Sequence, residues 1–242
     1  MLWHAPFSPD VAQDYLSGGR ATIDLIVDRL GAARCDGGGP STWLEIGCGY
    51  GRLVRALIER VDPGQIWALD VDRGGVDFCV AEFGVHGLYG TSDLDYRGLV
   101  RADAILAVSV VTHLDTTGSR RFFTCLGDVV TPGGGVLFTT HGPDSMQQLE
   151  HYDQGAYESH RLTLEASFAR DGMAYVPYPW AAGGAYGMAW HDPAYVCRIM
   201  DEIHGDRFQL LRYEPRSLDG HQDIWIYRRS HHADDGAGSI LA

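Results

Sequence analysis

The stretch Trp43-Leu44-Glu45-Ile46-Gly47-Cys48-Gly49-Tyr50-Gly51-Arg52-Leu53 decides how the rest of this sequence is interpreted. An apolar run ends close to an acid, three glycines follow at alternate positions, and a helical pattern begins. This order predicts a buried strand, a tight turn and a helix. Glycine tolerates positive φ and has no Cβ, so a ligand can approach the backbone of the turn. The unpaired N–H groups at the start of the helix then face that ligand.

A second acid, Asp70, ends the next apolar run, Gln65 to Leu69. Strand, glycine turn, helix, strand and acid follow one another as in a nucleoside-binding βαβ unit, in which the acid accepts the ribose hydroxyls. Dinucleotide enzymes use the spacing G-x-G-x-x-G, whereas the three glycines here alternate with single residues. The spacing therefore argues against a dinucleotide site, although a glycine pattern alone is weak.

The glycine stretch, read as Glu-x-Gly-x-Gly-x-Gly and followed by Asp70, resembles motif I of the class I S-adenosylmethionine (SAM)-dependent methyltransferases. Further segments look like those of a bacterial family within that class, and the resemblance covers about residues 40 to 229. These segments are Asp103–Leu106, Ser109–Leu114, Pro132–Gly135, Thr139–Gly142, Trp190–Val196 and Gly220–Asp223. The resemblance implies a methyltransferase with SAM as cofactor and S-adenosylhomocysteine (SAH) as product, while it says little about the acceptor.

Hydrophobic periodicity predicts an α/β fold, a Rossmann-like doubly wound sheet of seven strands that is mostly parallel, with a C-terminal antiparallel strand and an insertion after the fifth strand. We predict strands over 41–46, 65–70, 87–90, 102–109, 136–140, 208–213 and 224–228. We predict helices over 10–30, 50–61, 73–83, 117–130 and 193–203. Ser17-Gly18-Gly19 should divide the first helix in two, and 131–135 should form a turn.

We divide the chain into an N-terminal helical segment (1–40), a methyltransferase domain (41–229) and a flexible tail (230–242). Within the domain, about 143–191 should form a lid over the acceptor. Its aromatic residues could stack on a ring or a sugar face. The alternative is a loop with a small hydrophobic cluster of its own. The residues that we expect at the acceptor are Tyr186, Trp180, His191 and His221.

The cofactor should lie over the carboxyl ends of the first two strands. The expected cofactor-binding residues are Glu45, Gly47, Cys48, Gly49, Gly51, Asp70, Val71 and Ser109. Asp70 would accept the ribose hydroxyls, and Val71 would pack on the adenine. Glu45 would hold the turn or the amino group of the cofactor, or it is only a buried acid that hydrogen-bonds the loop.

Two histidines follow adjacent strands of the predicted sheet, His113 after the fourth and His141 after the fifth. Both should therefore lie at the carboxyl edge, beside the methyl group to be transferred. A hydroxyl acceptor must lose its proton, and a His with a near-neutral pKa suits that task. We predict that one of them is the base and favour His141 slightly. The alternative for each is a supporting or purely structural role.

Composition limits the other possibilities. The formal net charge is −13, which argues against nucleic acid as a partner because phosphate binding needs basic residues. The sequence shows no membrane-spanning run and no signal peptide, and its five cysteines are scattered. We therefore expect a cytoplasmic bacterial protein, a monomer or homodimer that acts on a small-molecule acceptor. We find no set of metal ligands and predict no metal site.

The leading hypothesis is a SAM-dependent methyltransferase, in particular an O-methyltransferase acting on a hydroxyl of a natural product or a glycosyl unit. The second is an N- or C-methyltransferase on a small molecule. An amine acceptor would call for a carboxylate or a box of aromatic side chains near the methyl group, and Asp115, Glu158 and Glu165 leave this open. The third is a SAM-binding partner protein without catalytic activity.

Overall fold

The computed structural model describes residues 9–33, 39–149, 157–181 and 186–231, with the side chains of 9–15 and 31–33 left out. Its seven helices are α1 (Pro9–Ala33), α2 (Arg52–Leu57), α3 (Arg73–Phe83), α4 (Thr116–Val129), α5 (Pro143–Gln147), α6 (Arg161–Asp171) and α7 (Pro193–His204). Its nine strands are β1 (Trp43–Ile46), β2 (Ile66–Asp70), β3 (His86–Tyr89), β4 (Ala102–Ala107), β5 (Val130–Thr140), β6 (Met173–Pro177), β7 (Gly187–His191), β8 (Phe208–Leu218) and β9 (Gln222–Arg229).

Seven strands form one sheet in the order β3-β2-β1-β4-β5-β9-β8, while β6 and β7 pair separately as a two-stranded antiparallel sheet. The contacts among β1 to β5 are parallel, and β9 runs antiparallel to both of its neighbours. The predicted fold class is confirmed. Because β1 and β4 are adjacent, the chain reverses its winding direction between them, and the crevice at their carboxyl ends is the expected ligand position.

The central strands β1, β4 and β5 are largely buried on both faces, as parallel strands require. Alternate residues of β5 belong to different cores: Leu137 packs with α1, α2 and α3, whereas Phe138 packs with α4 and α7. A third, smaller core lies in the insertion after β5 and includes Met146, Leu164 and Trp190. The region predicted as a lid therefore has a hydrophobic cluster of its own, as the alternative interpretation proposed.

The prediction of two helices before residue 30 was wrong, because α1 is continuous. Gly18 and Gly19 do not end the helix. A Cβ added at Gly19 would lie 2.7 Å from the carbonyl oxygen of Arg52, so this glycine allows the close approach of α1 to the start of α2. Gly19 thus has a packing role here and does not break the helix.

Other differences concern the ends of elements. The turn predicted over 131–135 belongs to β5, which accommodates Gly133 at φ +78° beside an irregularity in its pairing with β4. The fourth strand ends at Ala107 rather than at residue 109, because Ser109 adopts a left-handed conformation. The β6–β7 pair was not predicted. Of the predicted tail, residues 232–242 lie outside the described residues.

Candidate active site

The glycine turn connects β1 to α2 at the carboxyl edge of the sheet. Gly47, Gly49 and Gly51 all have φ between +48° and +81°. A Cβ at Gly47 would lie 2.5 Å from Val110 Cγ2, and one at Gly51 would lie 2.5 Å from Phe83 Cε2. Nothing lies within 4 Å of a Cβ at Gly49. Packing therefore requires two of the three glycines, and the third faces open space.

Asp70, the last residue of β2, holds the glycine turn from the side. Its Oδ2 accepts a hydrogen bond from the Gly49 N–H at 2.7 Å, and its Oδ1 accepts one from the Asp72 N–H at 2.9 Å. A carboxylate has about four lone-pair positions, so two backbone bonds leave room for further donors. The following residue, Val71, is 57% exposed at the same edge. Their predicted contacts with ribose and adenine remain predictions, and this placement is compatible with them.

Glu45 lies beneath the turn and is fully buried. Its Oε2 has no hydrogen-bond partner among the described residues. Burial raises the pKa of this carboxyl well above its usual value, and the nearby Cys79 adds to the effect. An unpartnered buried acid is costly unless a further donor reaches it. Glu45 Oε2 is therefore one of the buried polar atoms at this edge of the sheet that lack a partner among the described residues.

Cys48 presents its backbone rather than its thiol to the crevice. Its Sγ lies 3.5 Å from the Gly49 carbonyl oxygen, and Cys79 Sγ on α3 lies 3.6 Å from the same oxygen. A hydrogen bond with Cys79 and burial together raise the pKa of the Cys48 thiol. The thiol is thus neutral and packed inward, so a cofactor contact of Cys48 would be made by its main chain.

Ser109 begins the loop after β4 and has φ +58°, which is unusual for a residue with a Cβ. Its N–H donates to Thr139 Oγ1 at 2.8 Å, and its hydroxyl accepts from Gln222 Nε2 at 2.9 Å. Sequence reasoning assigned no role to Thr139 or Gln222, although both lie in segments quoted above for the resemblance. Only the sheet brings these distant positions together.

His113 follows this loop, in a short 3₁₀ helix spanning Val111–His113. Its Nδ1 lies 2.9 Å from the Gly187 carbonyl oxygen and 3.1 Å from the Tyr178 hydroxyl. A carbonyl only accepts, so Nδ1 carries the proton and the lone pair of the neutral ring lies on Nε2. Burial lowers the pKa of His113, which favours this neutral form.

His141 lies deeper than His113, with 3% of its surface exposed against 8%. Its Nδ1 is 3.2 Å from the carbonyl oxygen of Ala189, and its ring lies 5.8 Å from that of His221. Burial lowers the pKa of His141 well below its usual value, and the neighbouring His113, His221 and His191 add to the shift. The structure therefore brings the two predicted base candidates into one cluster.

The two other histidines of the cluster differ in exposure. His191 is fully buried, its Nε2 lies 3.2 Å from Ser119 Oγ of α4, and burial lowers its pKa to about 3. It supports β7 rather than facing the crevice in this conformation, so the acceptor contact that we predicted for it lacks structural support. His221 is half-buried, and its Nδ1 lies 3.0 Å from the Asp219 carbonyl oxygen.

An aromatic group in the insertion lies over His113. Tyr178 and Trp180 stack with ring centroids 5.1 Å apart, and Tyr186 lies 5.0 Å from the His113 ring. Trp180 is 63% exposed and Tyr186 is 37% exposed, so both present free surface. Burial raises the pKa of Tyr186, and the charge of Asp70 adds to this shift. Tyr186 therefore belongs to the aromatic group and lies close enough to Asp70 to be affected by its charge. Sequence reasoning named Tyr178 only as one of the lid's aromatic residues and gave it no contact with His113.

Within residues 9–33, 39–149, 157–181 and 186–231, no group of three His, Cys, Asp or Glu side chains is arranged to hold a metal ion. In the same part of the chain, no helix is both long and apolar enough to cross a membrane.

Residues 44–136 match the sequence model of a protein family described as a methyltransferase domain. The matched residues make up less than half of the chain. A curated relative is the tRNA N(3)-methylcytidine methyltransferase trm141 of Schizosaccharomyces pombe, 30% identical over 108 residues. That match covers 41% of this chain and 44% of the yeast protein, so the chain corresponds to less than half of its length.

Two solved methyltransferases share the fold over nearly the whole chain. One is CalS10 with bound SAM, an amino pentose methyltransferase from Micromonospora echinaspora, with a TM-score of 0.61 at 16% identity over 94% of this chain and 100% of the other. The other is the glycopeptide N-methyltransferase MtfA in complex with SAM, with a TM-score of 0.59 at 12% identity over 88% and 94% of the two chains. The prediction of a Rossmann-like methyltransferase fold is confirmed.

Proposed function

We propose that this protein is a SAM-dependent methyltransferase that transfers a methyl group to a hydroxyl of a small molecule. The observation that carries the proposal is the glycine turn, open at Gly49, with the Asp70 carboxylate beside it in a methyltransferase fold. The match of residues 44–136 to a methyltransferase domain supports the same conclusion.

The residues at the turn fit such a cofactor. Gly49 leaves space for a ligand against the backbone, and the buried Glu45 lacks a partner for Oε2. Asp70 has lone pairs free for ribose hydroxyls, and Val71 offers an exposed apolar surface for a base. When bound, SAM supplies a methyl group on a sulfonium. The protein then has to orient the acceptor, exclude water and accept a proton.

We propose His113 as the residue that accepts the proton, at Nε2, with His141 as the alternative. The Gly187 carbonyl fixes the His113 tautomer, and Tyr178 and Tyr186 orient its ring. A base works best when its pKa is close to the working pH. Burial shifts the pKa of His141 further from that range than the pKa of His113. The contacts of His113 and its smaller pKa shift reverse the slight preference for His141 that rested on strand position alone.

The carboxylates that left an amine acceptor open have other partners. Asp115 caps α4 by accepting from the Gly118 N–H at 2.6 Å. Glu158 and Glu165 both pair with Arg161, at 2.7 Å and 3.4 Å. None of the three is held ready for an ammonium group, which supports an uncharged hydroxyl acceptor. The exposed faces of Trp180 and Tyr186 suit a sugar face or an aromatic ring, as in a glycosyl unit or a natural product.

The net charge of −13 favours a small molecule over the nucleic acid named for the yeast relative. Five expectations stay predictions: metal independence, a cytoplasmic location, bacterial origin, the monomeric or homodimeric state, and the domain division at 40 and 229.

His221 is the fourth residue that we predicted to contact the acceptor. We keep this proposal because His221 is half-buried next to His141.

Titration calorimetry with SAM and SAH tests the cofactor, and we expect micromolar dissociation constants for both. Incubation with SAM and a panel of sugars, phenols and amines, followed by mass spectrometry, then tests the acceptor. We expect a mass increase of one methylene unit on hydroxyl compounds. Absence of binding of either ligand to folded protein would refute the proposed function, and methylation restricted to amines would refute the hydroxyl acceptor.

A further inference from the structure

Ser109 needs outside support to keep its conformation. At φ +58° it occupies the left-handed region, which a residue with a Cβ adopts at a cost unless its surroundings hold it there. Such residues occur preferentially at functional sites. The loop that Ser109 begins leads directly to the 3₁₀ helix with His113.

The support is a closed ring of hydrogen bonds among three residues, formed by the backbone N–H and hydroxyl of Ser109 and the side chains of Thr139 and Gln222. The Ser109 N–H donates to Thr139 Oγ1 at 2.8 Å, and the Thr139 hydroxyl donates to Gln222 Oε1 at 2.6 Å. Gln222 Nε2 closes the ring by donating to Ser109 Oγ at 2.9 Å. Thr139 is fully buried and Gln222 is 6% exposed, so water does not easily replace either partner.

This ring joins three strands at the edge where the proposed cofactor and acceptor meet. Ser109 follows β4, Thr139 lies at the end of β5, and Gln222 is the first residue of β9. The residues on both sides of Gln222 are held as well. The His221 carbonyl accepts from the Ser145 hydroxyl, and the Asp223 carboxylate accepts from Tyr213 and from the Arg216 N–H.

The loop held by the ring also touches the glycine turn. A Cβ at Gly47 would collide with Val110 Cγ2 at 2.5 Å, so Val110 packs directly on that turn. A shift of Ser109 would therefore move the wall behind the proposed cofactor on one side and His113 on the other.

We propose that Gln222, acting through Thr139 and Ser109, is a positioning residue that holds the loop after β4 in the conformation needed for cofactor binding. The inference rests on the proposed function. It assigns to Gln222 a task that involves no contact with the cofactor or the acceptor.

The test measures SAH binding by titration calorimetry, at a temperature where circular dichroism shows each variant to be folded. Gln222→Leu keeps the size of the side chain and removes its amide. Loss of one buried hydrogen-bonding partner should weaken SAH binding about tenfold. Gln209→Leu is the matched control, since Gln209 is exposed on β8 and bonds only Arg228. It should bind SAH like the wild type.

Two further measurements separate positioning from general stability. Gln222→Leu and Thr139→Val break the same ring, so the double variant should bind about as weakly as either single variant, roughly tenfold below wild type rather than a hundredfold. Ser109→Gly in the Gln222→Leu background should recover part of the lost affinity, because glycine adopts positive φ without support.

Wild-type affinity of Gln222→Leu, or strictly additive losses in the double variant, would overturn the inference and leave the proposed function intact. Wild-type protein that does not bind SAH would overturn both. If Gln222→Leu does not fold, Ser109→Ala combined with Thr139→Val provides the same cycle, with the same two outcomes.

Discussion

Replacement of Gly49 by alanine isolates the part of the glycine turn that serves a ligand rather than the fold. Gly49 has φ +48°, and an added Cβ would meet nothing within 4 Å. Gly84, which ends α3, has φ +68° and also open space around an added Cβ. The two substitutions therefore introduce the same kind of backbone strain, one at the proposed cofactor site and one away from it.

The left-handed conformation costs an alanine about 1–2 kcal/mol relative to glycine. We expect Gly49→Ala and Gly84→Ala each to lower the free energy of unfolding by about that amount, which corresponds to a decrease in Tm of roughly 2–8 °C for a chain of this length. Gly51→Ala should cost more, about 2–5 kcal/mol, because its Cβ would also collide with Phe83 Cε2 at 2.5 Å.

Binding should distinguish the pair. A methyl group at Gly49 occupies space that the proposed cofactor needs, so the dissociation constant for SAH should rise at least about tenfold, or about 1.4 kcal/mol. Gly84→Ala should leave it unchanged. Calorimetric titration and thermal unfolding monitored by circular dichroism measure the two quantities on the same samples. Equal SAH affinity of Gly49→Ala and Gly84→Ala would show that no ligand approaches the turn at Gly49.

Four further outcomes are expected. Asp70→Asn should weaken SAH binding by about 1.5–3 kcal/mol, because a charged acceptor is lost. Asp62→Asn should leave binding unchanged, since Asp62 accepts from the Gly64 N–H in the turn before β2; equal effects of the two substitutions would remove Asp70 from the site. Once an acceptor is known, His113→Ala should lower kcat about 10²–10⁴-fold and leave SAH affinity nearly unchanged. His141→Ala should lower kcat less. Wild-type kcat in both variants from pH 6 to 9 would place the base elsewhere. Burial lowers the pKa of His191 to about 3 in the folded protein. Below pH 6.5, therefore, only the unfolded chain binds a proton at this ring, and the free energy of unfolding should fall by about 1.4 kcal/mol per pH unit as the pH decreases. Urea titrations should show a shallower decrease for His191→Gln, and an unchanged slope would contradict the buried neutral ring. SAH binding and turnover should survive EDTA, and recovery of lost activity by Mg²⁺ would reveal a metal site.

Local chemistry made the glycine turn and the neighbouring acid predictable from the sequence. The strand, the three glycines and Asp70 lie close together in the chain, and each residue type has few other uses in that order. The position of the two histidines at one edge followed from strand alternation alone. The positions of the glycine turn, Asp70 and the two histidines could be predicted from hydrophobic periodicity and from the rule that parallel strands end at the same edge of a sheet.

The acceptor half depends on contacts between distant segments, which periodicity does not encode. The β6–β7 pair was missed, because both strands are only five residues long and neither shows a regular alternation of apolar and polar residues. His191 seemed to be a loop residue, yet this pair buries it against α4. The ring of Ser109, Thr139 and Gln222 joins three separate segments of the chain, and nothing in those segments indicates that these residues meet.

The position of β9 has a consequence for the order in which the protein can fold during its synthesis. β9 is inserted between β5 and β8, and Gln222 lies 83 residues after its partner Thr139. Until β9 leaves the ribosome, the nascent chain presents β5 as an open edge whose residues Val136 to Phe138 are fully buried in the finished sheet. Unpaired apolar edges of this kind promote aggregation. Chains truncated before residue 222 should therefore aggregate on release, even though every residue of the glycine turn is already in place.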